Sequence, residues 1–353
     1  MNKNSLHSSF TRSLLSWFKK EKRTLPFRET KDPYRVWLSE IILQQTQMET
    51  GIKYYKKFID KFPKIEDLAK AKQEEVYSLW QGLGYYNRAK NLHKTATIIT
   101  QGKNKFPKKF ECLIKLPGIG KYTASAIASI CFNERRYVVD ANVYRVLSRA
   151  FGLKTNINNT KAYGEFYDLT SSLGESAKNT GDYNEAIMDF GGTVCLPKRP
   201  KCEVCFYNKK CFGFKKDLVK NLPVKKDRKK TKNRFFNYFV FESKDGFLIK
   251  KRSKKDIWEN LFEFYLVENK NSKKALELLE KSTTKKLPKP ETKKTFTVLS
   301  HQKIEVVFYN YFIEKKGMLE RLKESLKMKL IKKSEVKNFG FPKVVDNYLK
   351  SRS

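Results

Sequence analysis

The chain has 353 residues, with 75 Lys and Arg against 37 Asp and Glu, and a formal net charge of +38. That length outgrows one ordinary core, and 40% apolar with 14% aromatic content is enough for two, so two domains are expected. The charge favours an acidic partner such as nucleic acid, although Lys far outnumbers Arg and much of it reads as solvated surface. The apolar cluster ahead of Lys19 and Lys20 is too short for a secretion signal, and no run of about 18 apolar residues offers a membrane span.

From Asp32 to about Phe212 the pattern is helical throughout, punctuated at Phe62-Pro63, Gly82-Leu83-Gly84, Phe106-Pro107 and Pro117-Gly118. One helix start is well marked. Asp32 can cap free amides, Pro33 suits the first helical position, and Val36, Trp37, Ile41 and Leu43 give an apolar side to a helix that carries Glu40 and ends near Gln45. Further on, LPGIGKYTASAIASI places Gly118 and Gly120 in a tight turn between a helix ending at Leu116 and one starting near Lys121. Such glycines serve either a plain helix-to-helix turn or a backbone cradle for phosphate. In VVDANVYRV, Asp140 opens an amphipathic helix, where an ordinary cap and a working carboxylate are both open readings.

Four of the six cysteines fall together as Cys195-x6-Cys202-x2-Cys205-x5-Cys211, while Cys112 and Cys131 lie in apolar helical contexts and read as core. In a chain without a secretion signal this clustering points to metal rather than disulfides. Four thiolates suit tetrahedral zinc or a [4Fe–4S] cluster, and a single Cys-x2-Cys knuckle flanked by lone ligands leans toward the latter. Lys198, Arg199, Lys201, Lys209 and Lys210 make the same loop a phosphate contact.

Residues 215–234 carry ten Lys or Arg and little apolar periodicity, and read as a basic connector, solvated or lying on something negative. Beyond them FFNYFVFES, GFLIKKR, LFEFYLVE, KTFTVLSHQ and KIEVVFYNYFIE have the aromatic and β-branched enrichment of strands, 268–294 reads as a Lys-rich helix and loop, and MLERLKESLKM as a helix. The second domain is therefore mixed α/β.

Together the LPGIG hairpin, the aspartate of VVDANVYRVLSR and the cysteine loop resemble, in order and spacing, the helix-hairpin-helix DNA glycosylase superfamily that includes endonuclease III. Within it LPFR, DPYRVWLSEIILQQTQMET and GLGYYNRAKNLH are similar to the adenine glycosylase (MutY-type) branch, with Phe27 where that branch commonly has Trp. More faintly, IWENLFEF and Leu299-Ser300-His301 resemble the branch's Nudix-like domain, without the spaced glutamates of a Nudix hydrolase.

The resemblance implies an all-α helix-hairpin-helix domain with a [4Fe–4S] loop over 1–214, the connector 215–234, and an α/β Nudix-like domain over 235–353. It implies a monofunctional enzyme removing adenine opposite 8-oxoguanine or guanine, in base excision repair. Glu40 would be the general acid and Asp140 the stabiliser of the sugar cation, oriented by Tyr122 and Asn142. Tyr122 stands where bifunctional relatives carry a lysine nucleophile, so no lyase activity is expected. Arg28 and Glu185 would line the base pocket, and Gln45 and Tyr85 would wedge into the duplex. Gly118, Gly120 and Lys121 would hold phosphate, Ser300 and His301 would read 8-oxoguanine, and Cys195, Cys202, Cys205 and Cys211 would bind the cluster. The expected partner is double-stranded DNA, bound by a monomer in the cytoplasm, associated with a bacterial nucleoid.

Overall fold

The computed structural model describes residues 3–102, 105–225, 231–253, 256–283, 287, 289–299 and 302–352. They form two compact units, Met1–Ala69 with Lys94–Asp227, and Lys70–His93 with Arg228–Ser353. Among the described residues no helix is long and apolar enough to cross a membrane.

The helices of the first two-thirds are, in chain order, α1 (Lys3–Glu21), α2 (Pro33–Leu43), α3 (Met48–Lys61), α4 (Ile65–Lys70), α5 (Gln73–Trp80), α6 (Asn87–Gln101), α7 (Phe110–Leu113), α8 (Lys121–Phe132), α9 (Ala141–Phe151), α10 (Ala162–Gly174), α11 (Thr180–Thr193) and α12 (Phe212–Lys215). Asp32 caps α2 by accepting from the Tyr34 amide at 3.0 Å, and Pro33 opens it. The core of the first unit gathers Phe10 and Leu14 of α1, Val143 and Leu147 of α9, Phe166 of α10 and Tyr183 and Ile187 of α11. Trp37, Ile41 and Ile42 bury the inner face of α2, which leaves Glu40 on its edge.

Three details depart from expectation. Cys112 is exposed on α7 rather than buried, because that helix turns only Leu113 inward; Cys131 is half-buried. The first part of the basic connector is not free in solvent: Leu222 is buried, its carbonyl accepts from Arg149 Nε at 3.1 Å, and the Val224 carbonyl accepts from the Ile157 amide at 3.1 Å. Its last residue, Arg234, lies buried within a strand.

In the second unit a seven-stranded mixed sheet runs β3-β2-β1-β6-β5, with β4 beside β1 and β7 beside β2. The elements are β1 (Lys232–Ser243), β2 (Gly246–Lys251), β3 (Phe262–Glu263), β4 (Tyr265–Glu268), α13 (Ser272–Thr283), β5 (Glu291–Leu299), β6 (Gln302–Phe312), α14 (Lys316–Ser325), β7 (Lys329–Ile331) and α15 (Lys343–Lys350). The Lys-rich stretch read as helix and loop thus ends in a strand, since Glu291–Lys294 pair with β6. Parallel pairing of β1 with β6 puts both in mid-sheet, and their near-continuous apolar runs fill two cores. Phe236, Tyr238 and Phe308 face α15, while Phe239, Phe241 and Tyr309 face α13 and α14. Arg234 pairs with Asp256 and Glu268, and Arg252 with Glu263 and Asp256, so neither buried guanidinium is left uncompensated. Residues 70–93 pack in this unit: Ser78 Oγ donates to the Lys337 carbonyl at 2.9 Å and Tyr86 Oη to that of Phe341 at 3.3 Å.

Candidate active site

Three helices of the first unit bring four side chains together. Glu40 comes from the end of α2, Tyr122 from the first turn of α8, and Asp140 and Asn142 from the start of α9, and all four are half-buried. Asp140 does act as a cap, accepting from the Val143 amide at 2.8 Å, yet its second oxygen accepts from Asn142 Nδ2 at 2.7 Å. Asp140 is thus a helix cap whose second oxygen is turned to Asn142 within this group. Tyr122 Oη lies within hydrogen-bond reach of Glu40 and donates to the Met188 sulfur at 3.2 Å.

Burial raises both carboxyls. Burial drives Glu40 up to about 7, reinforced by Asp140 and Glu185 and opposed by the Tyr122 hydrogen bond and Arg28. Burial raises Asp140 as well, against the Val143 amide, the Asn142 amide group and Arg145, all of which favour its anion. Tyr122, raised well above its ordinary value by burial and the adjacent carboxylates, remains a neutral donor. Near neutral pH Glu40 can thus hold a proton, beside an Asp140 carboxyl that accepts from two fixed amide donors.

Arg28 and Glu185 meet at one edge of this group, Arg28 Nε lying 3.4 Å from Glu185 Oε1. Asp189, fully buried, was not singled out from the sequence. It binds Arg28 Nη1 at 2.6 Å and Arg23 Nε at 2.7 Å, and although burial pushes it up, the two guanidinium groups hold it below its usual value. The available signal was spacing, since Asp189 follows Glu185 by one helical turn on α11. Arg145 is a second omission. Its Nη2 donates to Asn142 Oδ1 at 2.8 Å and to the Gly191 carbonyl at 2.6 Å, and its Nε to the Cys195 carbonyl at 2.6 Å.

Cys195, Cys202, Cys205 and Cys211 line a single apolar-walled cavity with Phe10, Val146 and Arg149, and none is in a disulfide. Burial raises Cys205 to about 11, and each of the other three thiols raises it further, which marks them as close neighbours. Among the described residues no three His, Cys, Asp or Glu side chains are drawn together as around one ion. Arg149 reaches the same loop, donating to Cys195 Sγ at 3.5 Å and to the Leu196 and Pro197 carbonyls.

The hairpin between α7 and α8 is exposed at Gly118, Gly120 and Lys121. Gly118 has φ 77°, and a Cβ on Gly120 would meet nothing within 4 Å, so backbone amides at the start of α8 are open to a ligand. Thr95 Oγ1 anchors the turn by donating to the Pro117 carbonyl at 2.8 Å. Gln45 and Tyr85 are exposed, and both have left-handed backbones, with φ 54° and 50°. Ser300 and His301 lie outside the described residues; the strand ends that flank them pair as Leu299 with Gln302.

The helical fold, its hairpin and the paired carboxyl groups define a DNA N-glycosylase of the helix-hairpin-helix class. The model of HhH-GPD superfamily base excision DNA repair proteins matches residues 38–170, and that of the NUDIX domain matches 237–351. An adenine DNA glycosylase of Buchnera aphidicola subsp. Schizaphis graminum is 38% identical over 257 residues, covering 72% of this chain and 74% of its own length. That of Homo sapiens is 42% identical over 208 residues, 56% of this chain and 38% of its own. The chain belongs to the adenine DNA glycosylase family. Among solved structures, a thermostable thymine-DNA glycosylase matches at TM-score 0.55 and 31% identity, covering 60% of this chain and 98% of that one. A non-covalent endonuclease III–DNA complex shares the fold at TM-score 0.53 and 20% identity, covering 62% of this chain and 99% of that one.

Proposed function

We propose that the enzyme hydrolyses the N-glycosidic bond of adenine paired with 8-oxoguanine or guanine in duplex DNA, without cleaving the strand. The observation that carries this is the Glu40–Asp140 pair, one carboxyl raised to about 7 and the other, also raised by burial, bonded to amide donors. Adenine must leave the stack to be reached, at a cost of a few kcal/mol that a mispair lowers. Glu40 gives its proton to the base as the C1′–N9 bond breaks. Asp140 faces the oxocarbenium-like sugar, and water adds to C1′ while returning a proton to Glu40. Asn142 and Tyr122 orient the two carboxyls. With Tyr122 in place of an amine, no Schiff base to the sugar can form there.

Arg28 and Glu185 are candidates for contacting the flipped base, Gln45 and Tyr85 for filling the duplex beside it, and Gly118, Gly120 and Lys121 for holding backbone phosphate. Ser300 and His301 would read the 8-oxoguanine opposite. Four cysteines lining one cavity, with a single Cys-x2-Cys knuckle flanked by lone ligands, suit a [4Fe–4S] cluster held by Cys195, Cys202, Cys205 and Cys211. When bound, such a cluster supplies a rigid loop and no open coordination position. Purified protein should be brown with one cluster per chain, and stoichiometric zinc in a colourless protein would overturn that part of the reading.

Duplexes carrying adenine opposite 8-oxoguanine, guanine or thymine test this activity. Free adenine should appear from the first two, with strand scission only after alkali. Scission without alkali, or equal release opposite thymine, would contradict it.

A further inference from the structure

Tyr85 is a large aromatic residue that is half exposed and held at φ 50°, a backbone region that non-glycine residues seldom enter. Nothing about solvent favours that state, so neighbouring groups must impose it. Two side chains do. Trp80, fully buried at the end of α5, donates from Nε1 to the Gly84 carbonyl at 2.9 Å. Arg88, in the first turn of α6, donates from Nη2 to the carbonyls of Leu83 and Gly84 at 3.4 and 3.3 Å. Its guanidinium carbon lies 5.0 Å from the centre of the Trp80 ring and 5.7 Å from that of Tyr85, so one cation serves both aromatic faces. Its backbone amide also donates to the Tyr85 carbonyl at 2.9 Å. Arg88 therefore grips the peptide before Tyr85, the carbonyl after it and the ring itself.

We propose that Arg88 is a positioning residue that presents the Tyr85 ring for insertion into DNA, acting through the Leu83–Gly84 carbonyls and its contact with that ring. The inference rests on the reading of Tyr85 as a duplex wedge. Burial brings the guanidinium down only to about 10, so it stays charged at neutral pH. A flat cation can do what lysine cannot: it bonds two successive carbonyls with its edge while its faces lie against rings. A ring already fixed in its inserting orientation loses less freedom on binding DNA, and the saving appears in the step that unstacks the base pair.

The test is a double-mutant cycle of Arg88→Met and Tyr85→Leu on the full chain. A duplex with adenine opposite 8-oxoguanine, and 2-aminopurine as neighbour, reports unstacking by stopped-flow fluorescence. Arg88→Met should slow unstacking about tenfold, the scale of one cation–π contact with its ordering. Tyr85→Leu should slow it at least as much, and the double variant should be no slower than Tyr85→Leu. Melting midpoints taken in parallel separate loss of fold from loss of positioning. Additive slowing would overturn the role of Arg88 and leave the wedge intact. Tyr85→Leu with wild-type unstacking would overturn the wedge itself. Arg88→Lys should recover little of the rate, and full recovery would mean that charge alone suffices.

Discussion

Glu40 shows how one residue trades stability for chemistry. Its carboxyl sits at about 7 in the fold against about 4.5 in an open chain, so it is charged in the unfolded protein and neutral in the native one between those values. Native stability therefore falls as pH rises from 4.5 to 7, and the loss is complete above that, amounting to about 3 kcal/mol at most. Glu40→Gln, neutral at every pH, should raise the melting midpoint at pH 8 and leave it nearly unchanged near pH 4. A lower midpoint at pH 8 would mean that the Glu40 carboxylate is stabilised by partners of its own. On the proposed mechanism the same proton sets the rate. Excision should decline about tenfold per pH unit above 7 as Glu40 ionises, and decline on the acid side as Asp140 is protonated, which a single-turnover pH profile measures.

At the scale of elements, the site depends on how closely α9 and α11 approach. A Cβ at Gly191 would stand 2.6 Å from Asn142 Cβ and 3.2 Å from its Cα, so Gly191→Ala should push apart the two helices that carry Asp140 and Asp189. A loss of about 1–3 kcal/mol in stability and a larger loss in excision rate are expected, from denaturant melts and single-turnover assays. Wild-type behaviour in both would show that the helices have slack. Much of this arrangement could be read beforehand. Asp32-Pro33 marks the start of α2, Gly118 marks the hairpin, and the aromatic and β-branched enrichment of FFNYFVFES marks β1, because each signal is local. Asp189 and Arg145 could not be weighed in the same way. Their partners Arg23, Arg28 and the Cys195 carbonyl are far away in sequence, and a buried ion pair has no pattern until the fold closes it. Cys112 was misjudged because a four-residue helix is too short for periodicity to tell its inner side from its outer.

For the whole molecule, the division of the chain was legible in composition only in part. Residues 70–93 continue the helical pattern of their neighbours, yet pack with the carboxyl-terminal residues through Ser78 and Tyr86. The net charge of +38 acquires a narrower meaning in the same way. On the proposed function, phosphate contacts would fall to the exposed hairpin and the lysines of the cysteine loop. Salt should weaken binding to matched and mispaired DNA with similar slopes, while the preference for 8-oxoguanine persists. Loss of that preference at high salt would shift specificity onto charge. The most direct measurement is excision itself, followed in a single turnover on a duplex with adenine opposite 8-oxoguanine, comparing the native enzyme with Glu40→Gln. Release of adenine by the native enzyme and a loss of at least about a hundredfold in the variant are expected. Undiminished release by Glu40→Gln, or no adenine released by either, would contradict the proposed mechanism.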